Sequence, residues 1–543
     1  PSGRRGMEGG AAAEAARSSG GPGGEVHFED FEALSRFCCQ ACPGAEGNVA
    51  AVEEEFRNAF EHECLCLAFC ERVWAPQWTS VTSLWDFVHR LQMDWSPEER
   101  LLFWERHAAF AGHPLHVMAK SRLPLSPAEA AACAPEFGPE VRLGVLAVRR
   151  GLLRVWPSAE AWQALWAERC PAAVERLAAE ARAPADFVLL PLHPLNLPQA
   201  RRLYAREFEA GRMWLLSGFE IPATPTLSLR TLSPRRSFPG LRLKLPVPVL
   251  ATSLPRYVSP VEVLGSVLIS RALRVLQLPE ELAVQQEEFA AHLVFGGSGE
   301  GGEGAGGYSY EDARYCSAIF RVSAAALAAP GRRQVPLAAM FAPPRDGSAP
   351  LWEDFWREHG VRDGRGWFGR YVSVALRAQL GAFLRLGLAL EAHQQNAVLE
   401  LDAGGELRRL LCQELGGGVF WDPARLALLP ADFRHEVYAR DDVLVPFGKC
   451  LACLRQTLLR AHLWPLAACA AAAFGLEERL LRTDLDCALA ALPGSVPQLS
   501  GDGLAPEGYA AYGAAAVEAL RRRGPVKALL RMRLLQTKGE VYA

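Results

Sequence analysis

The sequence predicts an α+β fold, and three observations carry that reading. Residues 26–185 place apolar side chains at three- and four-residue spacing, residues 186–335 break into short alternating segments, and residues 336–543 return to helical spacing around one hairpin. A tail over 1–25, "PSGRRGMEGGAAAEAARSSGGPGGE", precedes them and has the composition of a disordered segment. With 543 residues, half of them hydrophobic and 22% charged, the chain can bury sizeable cores in two or three domains. Its formal net charge of -3 excludes a dedicated nucleic-acid binder. The longest apolar run, "LWPLAACAAAAFGL" (463–476), contains a proline and reads as too short to cross a bilayer. The expectation is a soluble cytoplasmic protein with no membrane and no nucleic-acid partner.

In the first region, "VAAVEEEFRNAFEHECLCLAF" and "SAEAWQALWAERCPAAVERLAAEAR" are amphipathic helices. Cys39-x-x-Cys42 offers one pair at zinc spacing, but a zinc site needs four converging ligands. His62, Cys64, Cys66 and Cys70 fall on a helix, so buried small hydrophobes are the better reading and no stoichiometric zinc is expected. "GHPLHVMAKSR" (112–122) interrupts the helical pattern with His113, His116, Lys120 and Arg122.

In the second region, no Asp or Glu occurs from Ile221 to Val261, while Arg230, Arg235, Arg236, Arg242, Lys244 and Arg256 all fall inside. Read as strands, "TLSLRT" puts Thr226, Ser228 and Arg230 on one face, and "LRLKLPVPV" puts Arg242 and Lys244 opposite a Leu/Val face. Pairing the leucine faces as a hairpin places Ser228, Arg230 and Lys244 on a shared polar face. Cations, a guanidinium fork and hydroxyls in one place suit phosphate. The G-x-G-x-x-G at Gly297, Gly299 and Gly302 lies in a Gly/Glu tract and reads as a surface loop rather than a dinucleotide turn.

In the third region, a helix with Leu380, Leu384 and Leu388 on one stripe meets Glu391, His393, Gln395 and Asn396, and the strand "AVLEL" follows. Polar residues at such a junction suit catalysis, although His393 could equally cap the helix.

Four ordered stretches then resemble the IucA/IucC family, siderophore synthetases that work independently of nonribosomal peptide synthetases. They are "GHPLHVMAKSR", "SLRTL" (228–232) with "LKLPVPVLATSLPR" (243–256), "EAHQQN" (391–396) and "VKALLRMRL" (526–534), together spanning about 112 to 534. The resemblance implies a hand-like fold with a helical thumb (26–185), antiparallel β fingers (186–335) and a large α/β palm (336–543). It implies an enzyme that uses ATP and Mg²⁺ to adenylate a carboxylate, such as citrate, and passes the acyl group to an amine or hydroxyl. A homodimer is the expected assembly. Residue by residue, it assigns Ser228, Arg230, Thr231, Lys244 and Arg321 to ATP, with Glu391, His393, Gln395 and Asn396 near the α-phosphate. Catalysis falls to His393, Lys244 and Arg256. His113, His116, Lys120, Arg122, Thr252 and Arg256 are implied on the substrate side. The chain departs from the pattern at Val117, Pro124 and Leu195-Asn196, and "LLCQELGGG" lacks the family's Arg-Asp pair, which leaves Glu414 as the expected magnesium carboxylate with Gln413 facing away. A kinase-like phosphotransferase and a non-catalytic binder of nucleotide or polycarboxylate stay open as alternatives.

Overall fold

Strand alternation in the middle of the chain builds one large antiparallel sheet. A computed structural model describes residues 30–92, 94–113, 116–251, 254–295, 308–343, 349–429, 443–499, 504–522 and 534. The sheet runs in the order Leu153–Trp156, Glu287–Leu293, Ser317–Val322, Leu241–Lys244, Thr231–Ser233, Met213–Pro225, Val141–Arg149 and Phe187–Leu192. One face is apolar, with Leu232, Leu243 and Phe320 fully buried. Helix Ala159–Arg169 covers it, and Trp162 meets Phe320 edge-on at 5.4 Å. The opposite face is polar. Register puts Thr231 beside Lys244, Arg242 beside Arg321, and Arg321 beside Glu287.

Helix Pro97–Ala111 packs against part of that polar face. Arg242 donates to Glu98 at 3.1 and 3.2 Å and to Glu105 at 2.6 Å, so one cation of the acid-free window is a buried structural tie. A second sheet orders Arg333–Pro336, Ala397–Leu401, Leu407–Cys412 and Leu282–Val284, the last pair parallel. Only Gln285 and Gln286 separate its edge strand Leu282–Val284 from Glu287–Leu293 of the large sheet. One continuous segment therefore serves both sheets.

Several expectations are corrected. Val141–Arg149 and Leu153–Trp156 are strands inside the region expected to be helical, because the apolar run "LGVLAV" (143–148) is too short for its periodicity to separate helix from strand. Residues 226–230 form a turn rather than a strand. Thr226 Oγ1 donates to Thr231 O at 2.9 Å, so the hairpin pairs only Thr231–Ser233 with Leu241–Lys244. Helix Gly364–Leu386 stops before Leu388, since Gly387 takes φ 72° and its N–H caps Phe383 O; Leu388 begins a short strand. The run at 463–476 starts inside a longer helix, Phe447–Phe474, and ends just past it; this is the one helix among the described residues long and apolar enough to cross a membrane, although more than half of its most apolar stretch is buried inside the protein. The 397–401 strand and its hairpin partner form as expected. The N-terminal tail, the Gly/Glu tract with its three glycines, Thr252 and residues 526–533 lie outside the described residues.

Candidate active site

The polar face of the sheet, the first turn of helix Pro260–Val275 and the two turns at 391–396 and 413–418 converge on one place. Lys244 is fully buried and donates to both Glu262 and Glu414. Arg321, also buried, donates to Glu287 at 2.6 and 3.0 Å, to Glu414 at 2.6 Å and to Gln413 Oε1 at 3.2 Å. Arg230 gives a hydrogen bond to Tyr257 O and stands 3.8 Å from Glu262. Its own carbonyl accepts from Leu245 N at 2.8 Å, which extends the ladder beyond Thr231 and fixes where the guanidinium starts.

The charges around this point nearly balance. Burial pushes the carboxyl of Glu414 up, but Lys244, Arg321 and Arg230 outweigh it and hold the group well below the usual carboxylate range. Glu262 behaves in the same way, lowered by Lys244 and Arg230 against its burial. Burial, with Arg230 nearby, brings Arg256 down to about 10, which leaves it charged at neutral pH. The anions that meet the acid-free window are thus the chain's own glutamates. Glu262 is the first acid after the window closes.

The turn 391–396 is locked to the turn 413–418. Gln413 N donates to Asn396 O at 3.1 Å, Gln413 Nε2 to Gln395 O at 2.9 Å, and Glu391 N to Gly418 O at 2.7 Å. Asn396 Nδ2 donates to Glu391 O at 3.0 Å, which fixes its amide. His393 Nδ1 accepts from Gln395 N at 3.2 Å, so in the neutral ring the proton sits on Nε2. His113 lies beside it, with ring centroids 6.3 Å apart, and His116 is 6.3 Å from His113. The glycines allow the approach: a Cβ on Gly416 would come 2.4 Å from Glu262 O.

The predicted site residues therefore divide. Ser228, Arg230, Thr231, Lys244, Arg256 and Arg321 come from the sheet side, and Glu391, His393, Gln395, Asn396 and His113 from the turns. Lys120 and Arg122 are not brought here. They contact Glu136 at 3.4 and 2.5 Å in the helical region, all three buried, and Lys120 also donates to Ala109 O at 2.5 Å and lies 3.4 Å from Cys66 Sγ. In this structure the pair serves a fully buried carboxylate, which is a structural ion-pair role. Gln413 does not face away from Glu414 either. The strand ends at Cys412, and Glu414 adopts φ 72°, so alternation no longer applies and both side chains reach Arg321. Glu262 and Glu287 were missed as participants. For Glu262 a signal existed, its place at the end of the acid-free window; for Glu287 none did.

A triphosphate fits this cation set in kind. Magnesium has no cage of its own: among the described residues no group of three His, Cys, Asp or Glu side chains could hold a metal, and both oxygens of Glu414 are engaged by Lys244 and Arg321.

Residues 100–342 match the IucA / IucC family, and residues 365–540 match the ferric iron reductase FhuF-like transporter family. Protein y4xN of Sinorhizobium fredii, itself uncharacterized, is 27% identical over 79% of this chain and 69% of its own length. Staphyloferrin A synthase of Staphylococcus aureus is 26% identical over 56% of this chain, which spans about half (51%) of that relative. Among solved structures, the petrobactin biosynthesis protein AsbB of Bacillus anthracis superposes with a TM-score of 0.73 at 14% identity, covering 94% of this chain and 81% of that one. ATP-bound aerobactin synthetase IucA of Klebsiella pneumoniae gives 0.65 at 19%, covering 87% and 81%. The mixed α/β architecture is that of these synthetases, and residues 100–342 carry the match to the IucA / IucC family.

Proposed function

We propose that this protein is an ATP-dependent ligase of the cytoplasm that joins a polycarboxylate such as citrate to an amine or hydroxyl through an acyl-adenylate, as in siderophore biosynthesis. The observation that carries the reading is the convergence of Arg230, Lys244, Arg256 and Arg321 on the turn that bears His393. A carboxylate oxygen attacks the α-phosphorus, and the bond to the pyrophosphate oxygen breaks. The acceptor nitrogen or oxygen then attacks the acyl carbon, AMP leaves with the carboxyl oxygen, and the acceptor's proton passes to solvent or a nearby base. Two anions meet in the first step, so catalysis rests on cations that neutralise the phosphates. Lys244 and Arg321 hold phosphate oxygens, with Ser228 and Thr231 as hydroxyl donors, and Arg256 faces substrate or phosphate. His393 donates from Nε2 toward a phosphoryl oxygen. When bound with the nucleotide, magnesium would supply further neutralisation of phosphate charge; Glu414, once phosphate has released it from Lys244 and Arg321, is the carboxylate that would meet it, since a nucleotide-borne magnesium needs only one or two from the protein.

The test is pyrophosphate release from ATP across a panel of di- and tricarboxylates, with and without polyamines. AMP and pyrophosphate as products support the ligase, whereas ADP would point to the phosphotransferase alternative. That alternative lacks an Asp in "EAHQQN" to serve as base. Binding of ATP without turnover under every combination would sink the ligase reading.

A further inference from the structure

We infer that Glu414 is a built-in competitor for the anion this site binds and thereby selects which anions can enter. The inference rests on the reading above only for the identity of the natural ligand. Glu414 gives one oxygen to Lys244 and the other to Arg321, cations from two adjacent strands. Each cation has a second carboxylate of its own. Lys244 keeps Glu262, which sits in the first helical turn with its N–H on Ser259 Oγ at 3.1 Å. Arg321 keeps Glu287, which is wholly buried and also takes the Gly416 N–H at 3.2 Å. Glu414 is therefore the one carboxylate the two cations share, and its departure opens a place on both while leaving each a carboxylate of its own.

Two further features set it apart. Its side chain is 20% exposed, against 15% for Glu262 and 0% for Glu287, while those of Lys244 and Arg321 are 0% and 1%, so Glu414 is the most exposed of the three carboxylates on the pair. It is also the one non-glycine among the described residues with positive φ, at 72°, a conformation a glutamate holds at a cost unless its contacts over-determine it. A ligand that replaces Glu414 must offer anionic oxygens to both cations at once. Phosphate groups and pyrophosphate links do so with more charge than a carboxylate carries, and a monatomic ion such as chloride does not. Glu262 and Glu287 stay behind as fixed counter-ions that keep the cations in place during the exchange.

The experiment is calorimetric titration of the full chain with inorganic pyrophosphate in EDTA, comparing wild type, Glu414→Gln and Glu414→Asp. Removing the competing charge should tighten pyrophosphate binding about tenfold in Glu414→Gln. Glu414→Asp, one methylene shorter and unable to span both cations, should fall between. Equal or weaker binding in Glu414→Gln overturns the inference, because Glu414 would then assist rather than compete. Should Glu414→Gln not fold, the aspartate variant decides alone: tighter binding supports the exchange, unchanged binding overturns it. If Glu414→Gln gains pyrophosphate affinity while wild type releases no pyrophosphate from ATP with any carboxylate, the exchange stands and the ligase reading falls.

Discussion

Two basic clusters of this molecule read alike in sequence and end up differently. Lys120 and Arg122 meet Glu136, 16 and 14 residues away in the chain, and the carboxylate is wholly enclosed. Lys244 and Arg321 meet Glu414, 170 and 93 residues away, through a carboxylate that solvent still touches. A local and sealed counter-ion makes a structural post, since nothing can replace it without unfolding. A distant and partly exposed one makes a place where charge can be exchanged. The permanence of the partner, and not the number of cations, separates the two.

The sharpest way to break this comparison is Glu136→Gln. It leaves Lys120 and Arg122 buried without a carboxylate and should cost about 3–5 kcal/mol of stability, read as a shift in urea midpoint. Burial raises the carboxyl of Glu136, but Arg122 and Lys120 outweigh that and hold it at about 2. Its folded value lies below the unfolded one, so its contribution is whole above pH about 4.5 and fades as pH falls toward about 2. Wild type should lose stability across that window and Glu136→Gln should lose less; parallel curves would show that Glu136 is no post.

Next in size is Arg230→Ala. Arg230 is the cleaner probe of the exchange cluster, because removing the fully buried Lys244 would take a partner from both Glu262 and Glu414 and disturb the fold as well. Loss of one charge-assisted contact in the transition state costs about 2–4 kcal/mol, or roughly 30- to 1000-fold in pyrophosphate release. The melting temperature should hardly move. Near wild-type turnover would remove the cluster from the phosphate site.

The smallest expected effect belongs to Gln413→Glu. It keeps an acceptor for Arg321 but loses the N–H bond to Gln395 O, worth about 0.5–1.5 kcal/mol, so kcat should drop by roughly two- to tenfold with KM for ATP little changed. A change confined to KM would detach Gln413 from the placement of His393.

Much of this was legible in the residues, and the gaps have physical causes. The strand that carries Lys244 and the strand that follows His393 announce themselves by alternation and by the order of the motifs, whereas Thr231, which alternation in "TLSLRT" puts on the leucine face, stands beside Lys244 because residues 226–230 turn. Val141–Arg149 was misread since an apolar run buried on both faces has no period to follow. Glu136 was overlooked because capping and helix signals surround it and nothing local marks it as a counter-ion. Glu287 and Glu414 reach their partners only through tertiary pairing, and the fate of a cation is settled by that pairing.

The segment shared by the two sheets has a consequence for how the protein can be cut. Residues 100–342 and 365–540 match different families, which invites expression of each half alone. Yet Leu282–Val284 belongs to the first stretch and pairs in parallel with Leu407–Cys412 of the second, two residues before Glu287 closes on Arg321. During synthesis Lys244 and Arg321 leave the ribosome long before Glu414 exists, and the sheet edge at 282–284 waits with them. A gene divided near residue 350 should yield halves that regain solubility only when made together in one cell.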